Sequence, residues 1–281
     1  MKTNRGNTTL PWKSAWITGA GRGIGAELSR LLCRHGVTVY GSARSTEQLA
    51  QLQQELASSA GTFIPVPIDI GDLDSLQQQF NLWDQQGLMP ELVVLNAGTH
   101  DAFSASDFSA QRCKALLDIN LQGTINCLDP VLYRYLHGVD QNQDSIAEPL
   151  TARQGPSASR GHIAVVASVA GYRGLPTAAA YGAGKAALIN LCEALRFDLQ
   201  GSGVKLQLIN PGFVRTPLTE QNDFPMPALM EADEAARRIL KGLLSQRFEI
   251  VFPRRFVYLL KLFRLLPYSC YFSLVKRITG G

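Results

Sequence analysis

Tyr181 and Lys185 stand four residues apart on the alanine-rich segment Ala178 to Leu199, which has the composition and spacing of a helix. That spacing brings both side chains to one face, so a phenol and an ammonium can meet around one substrate. The chemistry open to the pair is proton exchange with an oxygen. A tyrosine at its ordinary pKa of about 10 is a poor acid or base near neutrality, and lowering it by about 3 units takes about 4 kcal/mol of differential stabilisation. A cation about 4 Å away supplies about 1 kcal/mol in bulk water and about 4 at an effective dielectric of 20, so the pair needs a pocket shielded from water. A second cluster is Thr18-Gly-Ala-Gly-Arg-Gly-Ile-Gly25, which places Gly19, Gly23 and Gly25 after a short apolar run. Such glycines allow a tight turn and let backbone approach a pyrophosphate, while the helix that follows offers free N–H groups and the positive end of its dipole.

These groups act only if regular elements hold them. Ser14 to Thr18, Val37 to Tyr40, Phe63 to Ile68, Leu92 to Leu95, Ile163 to Ala167, Leu206 to Ile209 and Glu249 to Phe252 read as short strands. Helical patterns separate them, among them Ala26 to Arg34, Thr46 to Ser58 and Leu73 to Gln86. Near-continuous apolar strands alternating with helices predict a parallel sheet covered on both faces, an α/β doubly wound domain over residues 1–253. Gly138 to Gly161 lacks periodicity and is predicted to be a loop insertion before the fifth strand.

The motifs Thr18-Gly-x-x-x-Gly-x-Gly25, Asn96-Ala-Gly98, Ser168, Tyr181-x-x-x-Lys185 and Pro211-Gly212 occur in the order and context of the short-chain dehydrogenase/reductase family. The chain resembles that family from about Ser14 to Phe252. The resemblance implies a Rossmann-like domain that binds NAD or NADP and moves hydride to or from a carbonyl or alcohol carbon. It further implies that Ser168 hydrogen-bonds the substrate oxygen, that Tyr181 gives or takes the proton, and that Lys185 orients the ribose and recharges Tyr181. Asn120 matches the position whose side chain helps to hold a water between Lys185 and solvent. By the same resemblance Asp69 and Ile70 meet the adenine, Asn96, Ala97 and Gly98 lie beside the ribose, and Pro211, Gly212 and Thr216 face the nicotinamide. Thr18, Gly19, Arg22, Gly23, Ile24, Gly25 and Val214 complete the implied cofactor set. The loop before Ile163 is longer than the family's usual connection, and the segment after Pro253 is not part of the shared core.

Charge argues for one cofactor over the other. In NAD-binding relatives an acidic residue ends the second strand and holds the adenosine ribose; here that place is Ala43, followed by Arg44. A carboxylate would repel a 2'-phosphate, whereas Arg44 and Arg22 can make charge-assisted bonds to it worth about 1.5 to 3 kcal/mol each. NADP(H) is therefore expected in preference to NAD(H). A nucleotide-binding sensor with little catalysis is the second reading of such a fold. The set Asn120, Ser168, Tyr181 and Lys185 favours the enzyme, since a pure binder does not need all four.

The 281 residues carry 46% hydrophobic side chains, which excludes disorder as the main state. The net charge of +4 arises from 27 Lys and Arg against 23 Asp and Glu, too small an excess for a dedicated nucleic-acid binder. Arg254, Arg255, Lys261, Arg264, Lys276 and Arg277 supply six of the positive charges with no acidic residue after Glu249, leaving residues 1–249 with 21 positive and 23 negative, a net of −2. The basic character thus belongs to residues 254–281, which read as an amphipathic helical tail. At helical spacing Arg254, Tyr258, Lys261, Arg264 and Tyr268 are expected on one face, opposite Phe256, Leu259, Leu260, Phe263 and Leu266. Such a tail can dock on a neighbouring subunit, cap its own pocket or lie peripherally on an anionic membrane; packing against protein is the first expectation, because amphipathicity usually reports packing. Phe213, Leu218, Phe224, Met226 and Leu229 either close over a hydrophobic substrate or pack against the domain. Cys33, Cys113, Cys127, Cys192 and Cys270 form no CxxC pair and no ligand spacing with histidine, so no metal site is expected. Met1 to Lys13 has no apolar run of a secretory signal, and a cytoplasmic location is expected. The resemblance implies a homodimer or homotetramer built through long central helices.

Overall fold

A computed structural model describes residues 9–138, 160–220 and 226–279. Strands and helices alternate through β1 (Ser14–Thr18), α1 (Gly23–Arg34), β2 (Thr38–Ala43), α2 (Thr46–Glu55), β3 (Phe63–Pro67), α3 (Leu73–Gln85) and β4 (Leu92–Leu95). There follow α4 (Ala110–Leu117), a π-helical turn (Asp118–Gln122), α5 (Gly123–His137), β5 (Gly161–Val166), α6 (Ala179–Asp198) and β6 (Val204–Pro211). The chain continues with β7 (Val214–Arg215), β8 (Met230–Glu231), α7 (Ala232–Leu243), β9 (Glu249–Phe252), α8 (Arg254–Phe263) and α9 (Tyr268–Thr279). Seven strands pair in parallel in the order β3-β2-β1-β4-β5-β6-β9, and β7 with β8 forms a small separate ladder.

The alternation of side chains along each strand builds two cores, one per face of the sheet. Ala15 and Ile17 of β1, Leu92 and Val94 of β4, and Ala164 and Val166 of β5 enter one core with Leu28, Leu49 and Ile239 of α1, α2 and α7. Their neighbours Trp16, Val93, Leu95, Ile163 and Val165 enter the other with Phe80, Val131 and Leu188 of α3, α5 and α6. Both faces of the central strands are therefore covered, as a doubly wound parallel sheet requires. The chain leaves β1 toward β2 and β3, then returns to place β4 on the other side of β1. That reversal opens a crevice beyond the carboxyl ends of the strands.

Several boundaries differ from the sequence expectation, among them these: helix α1 begins at Gly23 rather than Ala26, β2 runs on through Ala43, α2 ends at Glu55 rather than Ser58, and β6 runs on through Pro211. The tail is two helices broken around Pro267, and its faces depart from the expectation at two positions: Arg254, Tyr258, Arg264 and Tyr268 are exposed and Phe256, Leu260, Phe263 and Leu266 half-buried, but Lys261 turns inward to pair with Glu249 and Leu259 is exposed. Of the predicted 138–161 insertion, residues 139–159 lie outside the described residues and Gly161 already begins β5; Phe224 of the segment after β6 lies outside them too. Among the described residues no helix is long and apolar enough to cross a membrane.

Candidate active site

The crevice is a cleft of about 400 Å³. One wall is the turn between β1 and α1. Gly19 and Gly23 both have left-handed backbone (φ 67° and 58°), and a Cβ on Gly25 would lie 2.2 Å from the Gly19 carbonyl oxygen, so the turn can be this tight only with glycine. Thr18 and Asn96 lock it to the sheet. The Thr18 hydroxyl accepts from the Asn96 and Ala97 backbone N–H groups at 3.0 and 3.1 Å, and Asn96 Nδ2 donates to the carbonyls of Thr18 and Gly19. Ser45 and Asp72 cap the first turns of α2 and α3 with their side chains, but α1 has no side-chain cap. Its leading N–H groups thus remain available to an anion in the cleft.

At the same end stand Arg22 and Arg44, both exposed, both lining the cleft, and neither in an ion pair among the described residues. Ala43 stands beside them where a carboxylate would otherwise compete. A cradle of glycine backbone, an uncapped helix start and two uncommitted guanidinium groups fit the phosphates of a dinucleotide. Asp69 accepts from the Gly71 N–H at 2.9 Å and turns the chain after β3, leaving Ile70 against Gly123 on the cleft's flank.

At the other end Tyr181 and Lys185 project from the first turns of α6. Lys185 is 3% exposed, and its Nζ donates to the Val166 carbonyl at 2.9 Å and lies 5.8 Å from the Tyr181 ring centroid. Burial pushes this ammonium down to about 8. Burial raises the Tyr181 phenol, and a hydrogen bond from Ser168 offsets part of the effect. The expectation that the lysine would depress the phenol is thus corrected for the free site: desolvation dominates. Ser168 also caps a short 3₁₀ turn, accepting from the Ala170 N–H at 3.2 Å.

Asn120 sits in the π-helical turn between α4 and α5, 1% exposed, and is engaged at both ends by one residue: Thr99 N–H donates to Oδ1 and Nδ2 donates to the Thr99 carbonyl, each at 2.9 Å. A Cβ on Gly98 would lie 2.8 Å from Asn120 Oδ1 and 3.6 Å from Lys185 Nζ, so the glycine leaves the space between those two polar groups open.

Every site residue expected from the sequence lines the cleft except Thr18 and Gly25, which brace its glycine turn from behind. Ser42, Ser45, Gln48, Thr99 and Ile119 also line it and were not foreseen. Ser45 carried a signal, since a serine just before a helical pattern is an N-cap beside Arg44. His100 was missed too: its ring packs edge-on against Tyr181 with centroids 4.7 Å apart, and its Nδ1 is buried without a hydrogen-bond partner. No cluster of His, Cys, Asp or Glu able to hold a metal occurs among the described residues.

The family model described as short chain dehydrogenase matches residues 13–225. The chain belongs to the short-chain dehydrogenase family. Within it, an uncharacterized oxidoreductase of Myxococcus xanthus is 32% identical over 269 residues, covering 96% of this chain and 98% of that one. Among solved structures, a short-chain dehydrogenase from Sphingobium yanoikuyae in complex with NADPH has a TM-score of 0.71 at 21% identity, covering 95% of this chain and 94% of the other. A 3-oxoacyl-[acyl-carrier protein] reductase from Brucella melitensis with bound NAD has a TM-score of 0.68 at 23% identity, covering 85% and 89%. These likenesses show the shared fold, and one partner carries NADPH while the other carries NAD. As a short-chain dehydrogenase the protein is an oxidoreductase that uses a nicotinamide cofactor, and its cleft lies where β1 meets β2 and β4.

Proposed function

We propose that the protein is an NADP(H)-dependent reductase or dehydrogenase that interconverts a carbonyl and an alcohol on a hydrophobic substrate. The observation that carries the reading is the joining of two half-sites in one cleft: Arg22 and Arg44 beside Ala43 at one end, Ser168, Tyr181 and Lys185 at the other. The bound nicotinamide supplies or accepts the hydride. The chain's own residues handle the oxygen and its proton.

Tyr181, raised by burial, keeps its proton at neutral pH, and Ser168 lines the same cleft. The free site is therefore set to protonate an oxygen on which negative charge develops, the need of carbonyl reduction. Ser168 steadies that oxygen, and Lys185 returns a proton to Tyr181. Asn120 Oδ1, which uses one lone pair on Thr99, has the other for a water beside Lys185. The apolar groups Val214, Pro217 and Leu218 also line the cleft, which supports a hydrophobic substrate. We further propose a homodimer or homotetramer.

The test is turnover with a panel of hydrophobic ketones and aldehydes, followed by loss of reduced cofactor. NADPH is expected to outperform NADH, and Arg44→Ala to reduce that preference about tenfold or more. Tyr181→Phe should retain NADPH binding and lose about a hundredfold to ten-thousandfold in kcat. Equal use of NADH overturns the cofactor assignment, and binding without turnover across the panel makes the protein a nucleotide sensor.

A further inference from the structure

The two C-terminal helices are held to the domain by few but specific contacts. Val257 is fully buried against the core, and Lys261 pairs with Glu249 and lies 5.4 Å from the Tyr172 ring centroid. The Arg173 guanidinium donates to the carbonyls of Phe263 and Leu266 and covers the Tyr271 ring at 3.9 Å, while the Tyr271 hydroxyl donates to the Gly174 carbonyl at 2.6 Å. These contacts fix which way α8 and α9 face. They also consume Lys261, the tail's one inward cation, and leave the others outside.

The outer surface combines two features. Leu259, Leu262, Leu265, Tyr268, Phe272 and Ile278 are 48–79% exposed. Arg254, Arg255, Arg264, Lys276 and Arg277 on the same two helices are exposed as well, without a carboxylate partner among the described residues. Large apolar side chains grouped on a surface mark a place where something binds. The charge says what. No acidic residue follows Glu249, so a second copy packed by two-fold symmetry on this face would set five cations against the same five with nothing to neutralise them. Exposed leucines and aromatics on helices that also expose arginine and lysine instead match a bilayer surface with anionic headgroups, where apolar groups enter the acyl boundary and cations meet phosphate. Helices of 10 and 12 residues are too short to span, so they lie in the interface plane.

We propose that α8 and α9 dock the protein on anionic phospholipid membranes through this outer face. The site is separate from the catalytic cleft, and its occupancy is read without turnover. Full-length protein is sedimented with vesicles of phosphatidylcholine alone and of an equal mixture of phosphatidylcholine and phosphatidylglycerol. Binding to the mixed vesicles, weakened by added salt, and little binding to phosphatidylcholine are expected. Leu262→Glu/Leu265→Glu and Arg254→Glu/Arg255→Glu should each lower the affinity about tenfold or more while keeping the wild-type melting temperature and NADPH turnover. The proposal is overturned if the wild type binds neither vesicle, if both double variants bind as well as the wild type, or if Leu262→Glu/Leu265→Glu reduces the particle mass without altering vesicle binding, which would make the face a protein interface.

Discussion

Lys185 shows how a functional side chain strains the fold that holds it. Its ammonium is buried, tied to one carbonyl, and pushed down from 10.5 to about 8. Below pH 8 both folded and unfolded chains carry the proton and the penalty is constant. Between about 8 and 10.5 the folded chain releases the proton first, so the unfolded chain binds more protons and stability rises with pH. The full effect is on the order of 3 kcal/mol. Lys185→Met, measured without cofactor, is accordingly expected to be more stable than wild type at pH 7, and that advantage should shrink steadily by pH 10. A gap in melting temperature that stays constant over that range would mean that the amine is already neutral or is not buried. The neighbouring phenol behaves differently, since burial raises it. His100, packed on Tyr181 with a buried and unpaired Nδ1, is pushed down by the same burial and enters the site as a neutral ring.

Strand β5 carries a second buried ionisable group, held by its neighbours rather than by a ligand. His162 is 2% exposed, packs on Trp12 with centroids 5.3 Å apart, and bonds Gln207 Oε1 of β6 at 2.8 Å. Gln207 Nε2 is spent on the carbonyls of Gly242, Ser245 and Arg247, so its oxygen is the acceptor and His162 Nε2 the donor. Burial, with Lys205 nearby, pushes the imidazole down to about 3 from 6.5. From pH 6.5 toward 3 the unfolded chain binds the extra proton, and stability falls by about 1.4 kcal/mol per pH unit. His162→Gln keeps a donor for Gln207 and should flatten that acid limb in urea unfolding at pH 6.5, 5.5 and 4.5; parallel limbs for variant and wild type would refute the assignment. The strands themselves were legible because β1, β4 and β5 are apolar on both faces over short runs, and the glycine turn because its spacing has one physical use. The start of α1 was not, since Gly23 carries no helix signal. In the tail one predicted outward residue was misplaced for another reason: Lys261 is drawn inward by Glu249, twelve residues earlier on a different element, which local periodicity does not contain. Thr99 and Gln48 escaped notice because they reach the cleft only through the crossing of β1, β2 and β4.

The whole molecule divides its surface by charge and by polarity. The mildly acidic domain carries the cleft, and the cationic, partly apolar C-terminal helices follow β9, the edge strand beside β6. A different exposed face lies along α6, where Ala183, Ala186, Asn190, Ala194 and Phe197 recur every three or four residues and are all open to solvent. Small side chains there permit another helix to approach closely, and Phe197, 73% exposed, offers an apolar anchor at the end of the stripe. This face has none of the crowded positive charge that argues against self-association through the tail. If α6 pairs with α6 of a second copy, the axis passes near the middle of the helix and each Phe197 reaches the opposite end of its partner. Tyr181 and Lys185 project from the start of the same helix toward the cleft, so such pairing would steady the catalytic turn as well as the assembly. Phe197→Glu should then shift the mass measured by light scattering from dimer or tetramer to monomer at micromolar concentration, with a fall in kcat but no change in vesicle binding by the tail. An unchanged mass would exclude α6 as the oligomer interface, and a monomeric wild type would exclude the assembly itself.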